Sequence, residues 1–597
     1  MHGPRFGRVL TGAALVLSLA LPLRALAHGP EMSGADSVAS HPADRAIAEK
    51  IRDLLASKSD RFFLDKKERE AVEAFYHKRG LMPFWLDNGV ANARAKSVID
   101  RIRNADADGL EPSDYTIPDF VVPGPDALAE ADLKLTHTVL TYARHVQAGR
   151  FPYGLVSRNI ELPQRPPDPA DVLSKIAAAG DAGKALDELS PQQEPYQKLK
   201  AALARLRGDP ERSKAQIAEG PVLTYSREHQ MEDERVPLLR ERLGVAGEAS
   251  DIRYDAGLAD AVKRYQRANQ LPATGNLDAR TVRELNGPTH ANQIDAIIAN
   301  MERWRWYPRD LGDAHVLVNE PDFTLKVMHK GAQVWTTRVV IGKPTMQTPL
   351  LSQTMKYVTI NPTWHVPPSI VHNEYLPALA RDPTVLARMG LRGGGGSLWM
   401  PPGDGNALGH IRFNFPNRFL VYQHDSPDKY MFGHDTRAYS HGCMRVQDPA
   451  KYAEVLFNIA RPNEHWTAER IKSLFGNAQQ DVQLQPFPLW VHLTYQTAFV
   501  DDAGVLQFRK DVYGRDATML SLLRSGRTKD LENVVAHSQP SYGRPAGVPD
   551  GVRFASGWGN TWGANSWSSG PSFFDRLFAP APPPAAIRRP SRRVYDR

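Results

Sequence analysis

The chain reads as a multidomain α+β protein, and three observations carry that reading. At 597 residues it is too long for a single hydrophobic core, so several domains are expected. Residues 45–210 place apolar side chains at helical spacing, first Ile47, Ile51, Leu54 and Leu55, then Val72, Phe75 and Tyr76. Residues 314–345 change to period two, as H-V-L-V-N, T-L-K-V-M-H and V-W-T-T-R-V-V-I-G. The expected architecture is a helical domain at 45–210, a compact three-helix unit at 236–286, and a mostly-β domain at 312–510 with a helical insertion at 369–400.

The first 27 residues read as a secretory signal. Arg5 and Arg8 form a basic start, Val9 to Leu21 an apolar run, and Ala25-Leu26-Ala27 a small-x-small cleavage site. The run is too short to span a bilayer comfortably, and no other stretch approaches its length. The mature chain is therefore expected outside the cytoplasm, with no transmembrane segment. Residues 28–44 read as a flexible leader. Asp-Gly, Pro-Gly and Pro-Pro breaks then separate the helices of 45–210. Among them, Asn104, Asp106, Asp108 and Gly109 mimic the start of a calcium loop. The twelfth position, which must supply a bidentate carboxylate, is Tyr115, and Pro112 interrupts the loop, so no calcium site is expected.

Val236, Leu238, Leu239 and Leu243 mark one helix of the three-helix unit, and Leu258, Val262, Tyr265 and Gln266 a second. L-P-A-T-G-N-L-D-A-R-T at 271–281 then supplies a Gly turn, an N-cap at Asp278 and a third helix through Leu285. The join Asn300 to Trp306 is aromatic and basic. Alone it would suit nucleic-acid stacking, but secretion argues against that, and no nucleic-acid partner is expected. Lys330-Gly331 supplies the turn of a β-meander. Asn361 to Pro368 is rigid and aromatic, with Trp364 either a cleft wall that touches substrate or a core residue held by prolines. In the insertion, Ile370 to Met389 reads as helical. Gly393 to Gly396 lack a following Lys-Ser/Thr, so they are not a phosphate loop and read as a hinge. Phe419 to Tyr422 reads as a strand. Asp448-Pro449 starts a helix through Tyr452 and Ile459, and Leu489 to Leu493 is a strand expected to close the sheet. From about 540 the chain is rich in Pro, Gly, Ser and Arg, and 540–597 is expected to be disordered.

The net charge of +7 does not imply a nucleic-acid partner. Residues 541–597 hold eight Arg and three Asp, so the rest of the chain is nearly neutral. Such a tail could meet an anionic wall or membrane surface, a solvated tail being the plainer reading.

The chemistry concentrates at 422–446, Y-Q-H-D-S-P-D-K-Y-M-F-G-H-D-T-R-A-Y-S-H-G-C-M-R-V, which holds Cys443, the only cysteine of the chain. A thiol attacks as thiolate and needs a base to become one. His424 and His441 are the two candidate bases. We assign the role to His424, with the Asp425 backbone carbonyl as the acceptor that fixes its tautomer and the Asp425 carboxylate second. His441 is a helper, two residues from the thiol and on its face if the segment is extended. Backbone N–H groups of Gly442 and Cys443 are the expected oxyanion donors. Tyr422, two before His424, lines the pocket. Ser440 is a further pocket residue. Arg445 either binds a substrate carboxylate or forms a structural ion pair. His410, His424, His434 and His441 lack the spacing of zinc ligands, and Cys443 has no second thiol, so no metal is expected.

His424, fifteen residues, then S-H-G-C-x-R resembles the signature of the YkuD-type L,D-transpeptidase catalytic domain. Residues 75–85 (F-Y-H-K-R-G-L-M-P-F-W), 107–115 (A-D-G-L-E-P-S-D-Y) and the join at 300–306 resemble the large YcbB-type members. The 262–281 core resembles a peptidoglycan-binding domain, whose helices either bind wall or brace the enzyme. The resemblance implies a periplasmic enzyme without cofactor that acts on peptidoglycan stem peptides, with peptidoglycan synthases as candidate partners. Cys443 would form a thioester and pass the acyl group to an amine, giving 3→3 crosslinks. It further implies acylation by carbapenems and a lid over the cleft at 369–400. Water as acceptor would make the enzyme an L,D-carboxypeptidase or a crosslink-cleaving hydrolase, and an inactive wall-binding scaffold is the reading from another class.

Overall fold

The computed structural model describes residues 41–525 apart from 64, 209–215, 249, 270, 287–289, 368–369 and 395–396. The expected signal (1–27), nearly all of the leader (28–44) and the tail (540–597) lie outside the described residues.

Helices begin at Pro42, three residues earlier than the periodicity suggests. Three of them are Pro42–Phe62, Lys66–Lys78 and Pro125–Ala148. Their apolar stripes meet in one core that includes Ile51, Val72, Trp85, Leu133 and Val139. The string at 75–85 is pinned by buried Asp132, which accepts from the Tyr76 hydroxyl at 2.5 Å and the Trp85 N–H at 2.8 Å. The calcium-loop lookalike has a different use for its carboxylate. Asp108 is fully buried and meets Arg101 and, at 3.1 Å, Lys200. Burial pushes this carboxyl up, but Arg101 and Lys200 outweigh it and hold it down at about 2.

The three-helix unit comprises Val236–Leu243, Ala256–Ala268 and Ala279–Asn286 around a core of its own. Its turn explains the motif. Gly275 has φ +74°, Gln266 Oε1 accepts from the Gly275 N–H at 2.8 Å, and Asp278 caps the third helix through the Thr281 N–H at 2.7 Å.

A curled sheet of twelve strands dominates the rest. Eleven of them run Gln480–Gln483, Tyr357–Ile360, Ile411–Asn414, Gln423–His424, Met444–Val446, Ala332–Gly342, Thr324–His329, Ala314–Asn319, Leu489–Thr494, Leu350–Met355, with Ile160–Glu161 at the far edge, while Ala438–Ser440 pairs off this path with Ala332–Gly342. Ile160–Glu161 comes from the helical part of the chain and pairs in parallel with Leu350–Leu351. Leu489–Thr494 is an interior strand rather than a closing one, parallel to Ala314–Asn319. The expected strand at Phe419–Tyr422 is a turn with Leu420 at φ +57°, and only Gln423–His424 is paired. One face of the sheet packs Val358, Phe413, Met444 and Val446 into the core with the helix Pro449–Ala460.

The insertion folds as a small capping module. Val371–Tyr375 and Leu376–Arg381 are helical turns, and Arg392–Gly394 pairs with Ser397–Met400 in a hairpin that also pairs with Trp364–His365. Gly393, at φ +107°, and Gly394 lie in a strand paired with Leu398 and Ser397; 395–396, the rest of the expected hinge, lie outside the described residues.

Candidate active site

The site is built by strand register. Arg412 pairs with His424, and Gln423 and His424 pair in parallel with Met444 and Arg445. One step back, the Met444 N–H donates to the Tyr422 carbonyl at 3.0 Å, which sets Tyr422 beside Cys443. Because side chains alternate, Gln423 and Met444 enter the core while Arg412, Tyr422, His424, Cys443 and Arg445 share the opposite face. The capping module covers that face, with Tyr422 packed against its core.

Tyr422 is a polar neighbour of the sulfur, acting on it through both its backbone and its hydroxyl, and Trp364 acts on that hydroxyl. Burial pushes the thiol up to about 11, against the pull of Tyr422, Arg412 and Arg445. His424 is buried, and its Nδ1 donates to the Asp425 carbonyl at 2.5 Å, with the Leu408 carbonyl a second backbone acceptor at the ring. Burial, with Arg445 and Arg412, lowers this imidazole to about 3. Thiol and imidazole are thus both neutral near pH 7. The Asp425 carboxylate is committed elsewhere, accepting from the His410 N–H at 3.0 Å and pairing with Lys429 at 2.7 Å.

Several expected roles change. Gly442 adopts φ +110°, which breaks the extended alternation, so His441 does not share the thiol's face. Its Nε2 meets Glu374 Oε1 of the capping module at 2.6 Å. The Gly442 N–H is not open to an oxyanion, because it donates to Ser440 Oγ at 3.2 Å. Ser440 is a buried brace whose hydroxyl donates to the Cys443 carbonyl at 2.5 Å, not a pocket residue. Arg445 is 2% exposed and paired with Asp428 at 3.1 Å, so it is the structural ion pair and not a substrate ligand. Trp364 is 4% exposed, belongs to the core of the capping module and acts on Tyr422.

Two features escaped sequence reasoning. Glu374 clasps the nucleophile loop from an insertion 67 residues away, with no local signal of its partner. Thr348 Oγ1 donates to the Gly442 carbonyl at 2.8 Å, and the Thr348 carbonyl accepts from Arg515 at 2.9 Å, beyond the expected domain end at 510. The Glu374–His441 contact predicts a latch. Glu374→Gln removes its charge, and amide exchange across Val371–Arg381 is expected to accelerate about tenfold, the loss of one charge-assisted bond. Unchanged exchange would leave the contact without that function.

Three segments of the chain match known protein families. Residues 313–464 match the model described as "L,D-transpeptidase catalytic domain" (YkuD). Residues 70–203 match a "Scaffold domain", and 233–285 a "Putative peptidoglycan binding domain". A Haemophilus influenzae protein described as a "Putative L,D-transpeptidase" is 25% identical over 249 residues, covering 38% of this chain and 49% of that protein. The chain therefore spans about half the length of the curated relative it matches. A crystal structure of an L,D-transpeptidase from Stackebrandtia nassauensis is 14% identical, covering 46% of this chain and 97% of its own, with TM-score 0.17. One from Xylanimonas cellulosilytica is also 14% identical, covering 47% and 98%, with TM-score 0.15. The β domain that carries Cys443 is thus a YkuD-type L,D-transpeptidase catalytic domain. With the other two matches, the chain has the domain architecture of the large, YcbB-type L,D-transpeptidases.

Proposed function

We propose that the protein is a peptidoglycan L,D-transpeptidase of the periplasm that forms 3→3 crosslinks through a thioester on Cys443. His424 Nε2 takes the thiol proton as sulfur attacks the carbonyl carbon of the third stem residue. The Tyr422 hydroxyl, which acts on the sulfur, is our candidate side-chain donor to the developing oxyanion. The imidazolium returns its proton to the departing amine, D-alanine leaves, and the acyl group stays on sulfur. The side-chain amine of a second stem then attacks the thioester, loses a proton, and releases the thiol. The reading is carried by the register that sets Cys443, Tyr422 and His424 on one face under a capping module. Both neutral partners suit a proton transfer coupled to attack rather than a standing thiolate.

No helix among the described residues is long and apolar enough to cross a membrane. The three-helix unit supports a wall-facing protein, consistent with this substrate. Incubation with purified tetrapeptide muropeptides tests the proposal. Crosslinked dimers are expected; tripeptide alone would mean that water is the acceptor, and no product would sink the reading.

A further inference from the structure

We propose that Arg412 is the carboxylate-binding residue of this site, a role the expected candidate, Arg445, does not fill. The inference rests on the stem-peptide reading above and names how that substrate is held.

The argument begins with what a desolvated guanidinium needs. Removing a cation from water is costly unless an anion or several acceptors compensate. The other buried arginines of the catalytic domain and its joins meet that need: Arg445 pairs with Asp428 at 3.1 Å, Arg305 with Glu302 at 2.6 Å, and Arg515 with Glu320 at 3.2 Å. Among the described residues, the Arg412 side chain makes no ion pair; its Nε is unpartnered, as it is in those three arginines, but Arg412 alone of the four lacks a carboxylate. Its side chain lies over the face of Tyr422, with Cζ 5.5 Å from the ring centroid.

The position is as telling as the missing partner. Arg412 is the cross-strand neighbour of His424, on the face that carries Cys443. Its charge acts on the Cys443 thiol, the His424 imidazole and the Tyr422 hydroxyl alike. The head is half-buried and stacked on Tyr422, the ring that adjoins Cys443 across the strand pair. A planar fork with free donors is matched in geometry to a carboxylate. The donor stem offers two, on the leaving terminal residue and on the side chain of the diamino acid.

Paired alkylating reagents test the subsite without relying on turnover. Iodoacetate carries a carboxylate and iodoacetamide does not, and both report on Cys443 of the full chain. The ratio of their rates cancels any change in thiol ionisation. Arg412→Gln is expected to lower the iodoacetate-to-iodoacetamide ratio about tenfold, the scale of one charge-assisted contact, and Arg412→Lys to lower it less. A ratio within twofold of wild type in both variants overturns the proposal. If thermal melting shows the Gln variant unfolded, the Lys variant is read alone by the same criterion. Tetrapeptide donors amidated at the terminus or on the diamino-acid side chain identify the source. The amide that replaces the bound carboxylate should lose its sensitivity to Arg412→Gln in KM, while equal sensitivity of both amides and the free acid overturns the subsite. Failure of the wild type to process any muropeptide would instead sink the function proposed above, and the alkylation ratio would still read Arg412.

Discussion

Cys443→Ala is expected to abolish release of D-alanine and formation of crosslinked dimers, with a loss of about three orders of magnitude or more, because no other thiol exists in the chain to carry the acyl group. Cys443→Ser should fall nearly as far, since a hydroxyl ionises far less readily than a thiol in the same buried position. The sulfur is half-buried beside Tyr422 and packs against the sheet core, so the fold must be checked in parallel. Intact-mass spectrometry after mixing with tetrapeptide should show an acyl adduct on the wild type and none on the alanine variant. An alanine variant that still yields dimers would refute the covalent route. An adduct on the wild type without dimers would keep the nucleophile and change the acceptor.

Legibility followed the range of the interactions. The candidate nucleophile, the candidate base and the backbone acceptor of its ring lie within 422–446, close together in the sequence, and the Asp425 carbonyl meets His424 Nδ1 as expected. The period-two runs became strands, and the Gln266–Gly275 turn followed from its own residues. What failed involved partners distant in sequence or a backbone that departs from regularity. His441 looked like a second base because extended chain alternates, and Gly442 at φ +110° removes that premise. Spacing leaves Arg445 open between a substrate ligand and a structural ion pair, because Asp428, seventeen residues earlier, comes into contact only through the crossover between two parallel strands. Arg412, on another strand, had no motif to mark it, and its lack of a partner is visible only once every neighbour is in place. The Thr348–Gly442 and Arg515–Thr348 bonds likewise join segments that no spacing relates.

His424→Gln is the second large effect, with an expected loss of about two to four orders of magnitude in kcat/KM. Glutamine can keep a hydrogen bond to the Asp425 carbonyl, so the strand end should survive while the proton acceptor is lost. The pH dependence separates two mechanisms. A standing thiolate–imidazolium pair would make iodoacetamide alkylation level off between about pH 5 and 8. Here burial raises the thiol to about 11 and lowers the imidazole to about 3, so the neutral pair prevails through that window. Because the thiol's value is raised, its thiolate fraction grows about tenfold per pH unit until that value is approached. The alkylation rate should therefore climb from pH 6 to 9 without a plateau, and His424→Gln should climb in parallel with it. Acylation by a stem peptide should behave differently. Its rate in the wild type depends on the neutral imidazole, which persists to low pH because the folded value lies below the usual 6.5, so the acid limb should fall well under pH 6. A plateau in alkylation, or an acid limb at the ordinary histidine value, would show that the sulfur is ionised before substrate arrives and that the capping module does not keep the pair dry.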